Sequence, residues 1–346
     1  MASPFYSRRV NYKLFMRVLV VDKPIAGGEM SNLKVLITGG AGFIGSHLVD
    51  HCLKIGYETV VLDNFFSGKI ENIKQHLNNK KFCLIKGDIR NPENVQRALE
   101  NVDAVCHLAA IVNVPLSIEN PSLVNEVNVQ GTLNLLEAST KCNIQRFVYV
   151  STCAVYGEAK YLPINEEHPT NPLSPYGASK LAAEHYCKVF HQTYELQTIC
   201  LRFFNVYGSR QPSGPYGGVI TTFLESLKKK ESLTIFGDGN QTRDFIYVAD
   251  AVQACMLALQ RKNCVGETFN IGTGTKISIN ELARILIECV NELRARVVHV
   301  DERKGDIRES YADISKAKKK LGFEPKFSID KGLKEFVKSF DSAYTQ

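Results

Sequence analysis

Beyond residue 30 the chain alternates strand-like apolar runs with segments whose apolar positions recur at helical spacing. The runs Leu33–Thr38, Thr59–Asp63, Phe82–Lys86, Ala104–Leu108, Arg146–Ser151 and Thr198–Phe204 read as strands, and Gly45–Leu53, Val124–Thr140 and Ala178–Gln192 as helices. Repeated strand–helix alternation predicts an α/β fold, a doubly wound parallel sheet covered by helices on both faces. After about Asn205 the rhythm changes. A Gly/Pro/Ser-rich loop, Gly208–Gly218, leads to a helix over Val219–Lys229 and a short strand, Leu233–Phe236. The later run Thr268–Ile271 is strand-like and can still join the main sheet, so the C-terminal part reads as a smaller lobe. The basic run Lys316–Lys320 reads as a solvated helix face.

Composition narrows the class. The chain has 346 residues, 44% of them hydrophobic and 23% charged, with Gly and Pro scattered, which excludes disordered and fibrous classes. The net charge of +6 is mild, and half of it comes from residues 1–30. No nucleic-acid partner is implied by it. The apolar stretch Val18–Val21 is bracketed by Arg17 and Asp22, far short of the ~20 apolar residues of a membrane helix. Residues 1–30 are therefore read as an extension outside the core, with Met30 an alternative start; residues 31–205 form the first domain and 206–346 the lobe. Ten Cys are present without a CxxC pair, and eight His without an HExxH. They predict scattered thiols in a reducing, cytoplasmic compartment and no metal site.

The first predicted strand runs into Gly39-Gly40-Ala41-Gly42-Phe43-Ile44-Gly45 and then a helix. Glycines at 39, 42 and 45 allow a sharp turn, let the backbone approach a pyrophosphate, and pack helix on strand, as in a Rossmann-type dinucleotide site. Asp63, about twenty residues on, ends the second strand, where its carboxylate would accept the adenosine ribose hydroxyls. Asn64, Phe65 and Phe66 offer no positive charge to a 2′-phosphate, so NAD is favoured over NADP.

Tyr176 and Lys180 stand one helical turn apart on one face of a predicted helix. Ser151-Thr152 ends a strand at the sheet's C-terminal edge, where open α/β sheets bind ligands. A free phenol, with a pKa of about 10, is a poor base at neutral pH. A neighbouring ammonium and a cationic nicotinamide ring would favour its phenolate. Tyr176 would then move a sugar hydroxyl proton while Thr152 holds that oxygen.

Together these residues resemble the extended short-chain dehydrogenase/reductase superfamily, and within it the UDP-glucose and UDP-N-acetylglucosamine 4-epimerases. The resemblance spans about Leu33 to the C-terminus. It is carried also by Gly87-Asp88-Ile89, His107-Leu108-Ala109-Ala110, Asn128-Val129-Gln130-Gly131-Thr132, Arg202-Phe203-Phe204-Asn205-Val206-Tyr207-Gly208, Gln241-Thr242-Arg243-Asp244-Phe245 and Asn270-Ile271-Gly272. It implies an NAD-dependent 4-epimerase of UDP-hexoses that passes through a 4-keto sugar. Tyr176, Lys180 and Thr152 would be catalytic. Asn64, Asp88 and Ile89 would lie by the adenosine, Ala109 and Ala110 by the cofactor backbone, and Asn128 near the catalytic hydroxyls. Asn205 would contact the diphosphate or the sugar, Arg243 and Arg303 would clamp the diphosphate, Asp306 would reach the uridine ribose, and Val219 and Phe236 would line the uracil slot. Ser310 would border the C2 substituent of the sugar, where a small side chain admits an acetamido group.

Two departures matter. Related 4,6-dehydratases carry an Asp–Glu pair after the catalytic Thr, where this chain has Cys153 and Ala154; elimination is thereby disfavoured. Val112 replaces a Lys that some galactose-type epimerases carry near the nicotinamide phosphate side. The resemblance also implies a homodimer built on helices near Val124–Thr140 and Ala178–Gln192. The alternatives are another NAD-dependent nucleotide-sugar enzyme, such as a UDP-glucuronate 4-epimerase, or a non-enzymatic nucleotide-binding member.

Overall fold

A computed structural model describes residues 33–344 except 213, 215, 216, 293 and 303–306. The extension over 1–30, Arg303 and Asp306 thus lie outside the described residues. The chain runs β1 (Lys34–Thr38), α1 (Phe43–Lys54), β2 (Glu58–Asp63), β3 (Phe82–Lys86), α2 (Pro92–Ala98), β4 (Ala104–His107), α3 (Val114–Glu119), α4 (Pro121–Asn125), α5 (Gly131–Lys141), β5 (Arg146–Thr152) and α6 (Pro175–Tyr194). It continues through β6 (Thr198–Phe203), β7 (Asn205–Tyr207), α7 (Val219–Lys228), β8 (Leu233–Phe236), β9 (Thr242–Arg243), β10 (Phe245–Tyr247), α8 (Val248–Gln260) and β11 (Thr268–Ile271). The last elements are β12 (Ile277–Ser278), α9 (Ile279–Val290), β13 (Val297–Val300), β14 (Glu309–Ser310) and α10 (Ile329–Tyr344).

The main sheet is seven-stranded and parallel, in the order β3-β2-β1-β4-β5-β6-β11. The chain reverses direction across the sheet between β1 and β4, which opens a crevice at the C-terminal ends of those strands. Alternation along each strand feeds two cores. Val35, Ile37, Val148 and Val150 pack under α1 and α8, while Leu36, Phe147 and Tyr149 pack under α2, α5 and α6.

The expected helix over Val124–Thr140 is interrupted. Helices α4 and α5 are joined through a π-bulge over Glu126–Gln130, where the widened turn buries Asn128 and the Thr132 hydroxyl bonds back to the Asn128 carbonyl at 2.6 Å. Gly131 is pressed against Ile89 at the same point. The basic run is not wholly solvated either, since Lys316 and Lys320 pair with Glu267 while Ala317 and Leu321 are buried.

A third core lies in the C-terminal part, where Ile220, Phe223, Leu224, Leu282, Leu286, Leu333 and Phe336 join α7, α9 and α10. The two halves interlock nonetheless. Strand β11 pairs with β6, α8 covers the main sheet, and Asp50 of α1 holds Arg210 at 2.7 Å. Phe269, fully buried in β11, therefore supports both halves. Phe269→Ala should destabilise the protein by about 3–5 kcal/mol, read as a lower urea midpoint with unchanged slope.

Candidate active site

The turn after β1 is built around close backbone approach. Gly39 takes φ +69°, and a Cβ there would lie 2.9 Å from the Ala109 backbone; a Cβ on Gly45 would collide with the Gly39 carbonyl oxygen. Gly42 donates to that carbonyl at 3.0 Å and precedes α1 with no side-chain cap. With no acidic residue in the first turn, the leading amides of Phe43, Ile44 and Gly45 present the positive end of a twelve-residue helix. The donor set suits a pyrophosphate.

Asp63 is buried at the end of β2, accepting from Ala41 N at 2.9 Å and Phe65 N at 2.8 Å. Burial raises its carboxyl, and the two amides oppose that rise. A Cβ on Gly68 would lie within 3.0 Å of both carboxylate oxygens, so Gly68, which no sequence motif singles out, keeps that carboxylate open. At the rim, Asn64 donates to Asp88 at 2.9 Å, and Arg90, hydrogen-bonded to Asp88, holds its carboxyl down at about 2. Ile89 is buried behind them.

His107 is a second residue whose role the sequence leaves open. Because the Thr132 hydroxyl donates to the Asn128 carbonyl, it accepts from His107 Nε2 at 2.9 Å; His107 Nδ1 then accepts from Thr38 at 2.6 Å, and Thr38 Oγ1 accepts from Ala109 N at 3.2 Å. Burial holds this imidazole well below its usual range, so it stays neutral. Ala109 and Ala110 are thereby fixed over the turn. Asn128 clamps the next residue from both sides, accepting from Ile111 N at 2.8 Å and donating to its carbonyl at 2.9 Å. It also donates to Ser179 Oγ at 3.0 Å, which ties the loop to α6 between Tyr176 and Lys180.

Helix α6 begins at a serine cap, with Ser174 Oγ accepting from Gly177 N at 3.1 Å and Pro175 in the first turn. This start sets Tyr176, Lys180 and Glu184 in one row facing β5. The Tyr176 phenol lies near the Thr152 side chain, which favours its phenolate, but burial outweighs this and pushes the phenol up to about 12. Burial brings the Lys180 amine down to about 8, with Glu184 working against it. The Lys180 ammonium lies 4.4 Å from the centre of the Tyr149 ring.

Across the crevice, β14 pairs with β9 so that Ser310 stands beside Arg243, and Ser310 is buried. Cys153, its thiol pushed up to about 11 by burial, feels both Arg243 and Asp244 and lies close enough to Tyr176 to affect it. Asp244, fully buried, accepts from Thr273 N at 2.8 Å, Gly274 N at 2.9 Å and Ala312 N at 3.2 Å. Its carbonyl accepts Asn205 N at 3.0 Å and Asn205 Nδ2 at 3.1 Å. The half-buried Val219 opens α7, and Phe236 ends β8 where it pairs with Val300. The structure thus brings Thr152, Tyr176, Cys153 and Arg243 together, with Ser310 in register beside Arg243 and Asn205 held by the Asp244 carbonyl. Among the described residues no group of three or more His, Cys, Asp or Glu is placed to hold a metal.

Residues 36–336 match the family model described as GDP-mannose 4,6 dehydratase. The structure of a UDP-glucose 4-epimerase from Thermotoga maritima, solved with UDP-glucose, superposes with a TM-score of 0.85 at 39% identity, covering 90% of this chain and all of that one. A UDP-N-acetylglucosamine 4-epimerase from Methanobrevibacter ruminantium, in complex with UDP-N-acetylmuramic acid, gives 0.86 at 37% identity over 91% of this chain and all of that one. A UDP-glucuronic acid 4-epimerase from Bacillus cereus, with UDP-glucuronic acid and NAD, gives 0.82 at 35% identity over 90% of this chain and all of that one.

Gly45→Ala tests the turn. The variant should stay folded by circular dichroism yet bind NAD at least about tenfold more weakly in calorimetry, since the added methyl must push apart a close backbone contact.

Proposed function

Because the chain belongs to the GDP-mannose 4,6-dehydratase family of extended short-chain dehydrogenases/reductases, we propose that it is an NAD-dependent 4-epimerase of UDP-hexoses, acting on UDP-GlcNAc/UDP-GalNAc and UDP-Glc/UDP-Gal. The observation that carries this reading is the wall around Tyr176. Its phenol lies beside the Thr152 side chain and close to Cys153, while Cys153 and Ala154 offer no carboxyl for elimination or decarboxylation.

The capless head of α1, the Gly39–Gly45 turn and the open Asp63 carboxylate suit NAD. When bound, NAD supplies the redox chemistry, taking a hydride from C4 and giving it back to the other face of the 4-keto sugar. Tyr176 takes the 4-OH proton as that bond oxidises and returns it at the end. Burial makes its phenolate costly, so the Lys180 ammonium and the cationic ring must supply the field that releases the proton. Thr152 holds the same oxygen by a hydrogen bond. Arg243, with Arg303, holds the diphosphate as the pivot about which the ketone turns, a task suited to the guanidinium fork. Asn205 supports the diphosphate, Asp306 the ribose, and Val219 and Phe236 the uracil.

A homodimer and a cytoplasmic location complete the proposal. Tyr186, Val189 and Tyr194 of α6 and Ile118 of α3 expose apolar surface that a second copy would cover. No described helix is long and apolar enough to cross a membrane, and all ten cysteines are free.

Incubation with UDP-Glc, UDP-GlcNAc or UDP-GlcA, without added reductant, followed by NMR of the products, tests the reaction. UDP-Gal and UDP-GalNAc are the expected products; conversion of UDP-GlcA alone would reassign the substrate, and a dehydrated or decarboxylated sugar would overturn the reaction class. Tyr176→Phe should lower turnover by about 10²–10⁴-fold while leaving UDP-sugar binding nearly intact. Ser310→Tyr should selectively impair the acetamido pair by about 1–3 kcal/mol, roughly 5- to 150-fold in kcat/KM. Equal losses on both pairs would remove Ser310 from the sugar site.

A further inference from the structure

Glu184 lies one turn beyond Lys180 on the row that begins with Tyr176, and it is buried. Its Oε1 accepts from the Ser151 hydroxyl at 2.5 Å and from Arg202 Nε at 3.0 Å; its Oε2 accepts from Arg202 Nη2 at 2.7 Å. Arg202 is held in turn by the Tyr156 hydroxyl, 2.9 Å from Nη1, and its guanidinium lies 4.7 Å from the centre of that ring. On its other side, the Lys180 ammonium is 4.4 Å from the centre of the Tyr149 ring, and the Tyr149 hydroxyl donates to the Lys180 carbonyl at 3.5 Å. Tyr149 and Ser151 are two apart on β5 and so share the face that α6 covers.

The arrangement exceeds what packing alone requires. A buried carboxylate needs one good partner, and the forked contact with Arg202 provides it. Lys180, itself 3% exposed, has no surface water to stabilise its charge and depends on what the protein places around it. An aromatic face and a carboxylate are the two groups that do so.

We propose that Tyr149 and Glu184 are positioning residues that keep Lys180 an ammonium in front of Tyr176 and the nicotinamide ribose, Glu184 by its charge and Tyr149 by its ring face, with Ser151 and Arg202 fixing the carboxylate. The inference rests on the reading in which Lys180 serves the cofactor and Tyr176. The groups facing Lys180 are Glu184 and Cys187 of α6, Cys200 of β6, Tyr149 of β5 and His107 of β4. Among them Glu184 is the one carboxyl group, paired with the Arg202 guanidinium at 2.7 Å, while burial holds the Cys187 thiol protonated and His107 neutral. With the amine at about 8, the ammonium is present below that pH and is lost as pH rises through it. Removing a neighbouring negative charge lowers that point further.

The test compares Glu184→Gln, Ser151→Ala, Tyr149→Leu and Tyr149→Phe in the full-length protein, each checked for folding by circular dichroism. NAD affinity by calorimetry and kcat on UDP-Glc are followed from pH 6 to pH 10. In the wild type both should fall above about pH 8. In Glu184→Gln both falls should move down by at least about one pH unit. Tyr149→Leu and Ser151→Ala should move them the same way but less, and Tyr149→Phe, which keeps the ring face, should restore the wild-type position. Unmoved falls in the folded Glu184→Gln and Tyr149→Leu proteins would overturn the proposal; should Glu184→Gln not fold, Tyr149→Leu and Ser151→Ala decide it. An NAD fall that moves as stated, in a wild-type protein that epimerises no UDP-sugar, would overturn the function and keep the cradle. Turnover with unmoved falls would do the reverse.

Discussion

The crevice at the sheet's C-terminal edge depends on the absence of side chains where the turn after β1 meets the end of β4. Gly39 can sit against Ala109 only because it lacks a Cβ, and the same is true of Gly45 against Gly39. That closeness brings the head of α1 to the sheet edge with its first amides uncapped, leaving a ready acceptor of negative charge. Asp63 and Thr38 fix the turn from opposite sides, the first through Ala41 N and the second through Ala109 N. The neutral His107 then carries this order to Thr132 and the Asn128 bulge, and from there to α6. The glycine turn and the α6 row of Tyr176 and Lys180 are thus two ends of one hydrogen-bonded chain.

A second constraint joins the halves of the chain. Tyr156 donates to Asn270 Oδ1 at 2.6 Å, and Asn270 Nδ2 donates to the Ile164 carbonyl at 2.9 Å; Ile164 in turn bridges to Ala312. Asp244 gathers Thr273, Gly274 and Ala312 around one buried carboxylate. Buried polar groups of this kind are costly unless every member is satisfied, so they specify one arrangement of the halves. Arg243 and Ser310 inherit their places from that arrangement. The division near residue 205 separates chain order more than it separates cores, because α8 and β11 return to cover and extend the first sheet.

Legibility in the sequence tracks local pattern. The apolar runs locate six of the seven main strands to within a residue or two, and the Thr268–Ile271 run reads as able to join them. The glycine turn, Asp63 and the Tyr176/Lys180 pair are legible because their spacing carries their geometry. The bulge at Asn128 is not: a single extra residue in a helical turn leaves the apolar period almost intact while turning one side chain inward. Glu184 is also hidden, since a glutamate on a helix reads as a solvated charge until the strands opposite it, β5 and β6, are known to bear Ser151 and Arg202. The charge state of Tyr176 is legible only in part. Sequence supplies the neighbouring Lys180, but burial, which pushes the phenol upward, is a property of the assembled site.

The reaction available to such a site is decided by very few atoms. On the proposed reading, the same row of Tyr176, Lys180 and Thr152, with the same turn for NAD, would serve any chemistry that begins by oxidising C4 of a nucleotide sugar. The fate of the resulting ketone depends on whether an acid or base stands next to C5 or C6. Cys153 and Ala154 occupy the segment where such groups would have to be, and burial keeps the thiol protonated at neutral pH. Without a proton acceptor there, the ketone has no route to elimination. In the proposed reaction it accepts the hydride back, and the stereochemical outcome passes to whatever allows the sugar to turn. On the proposed reading the control of the reaction lies on the far wall, where Arg243 would anchor the diphosphate and Ser310, in register beside it on β14, would border the C2 substituent as the ring turns.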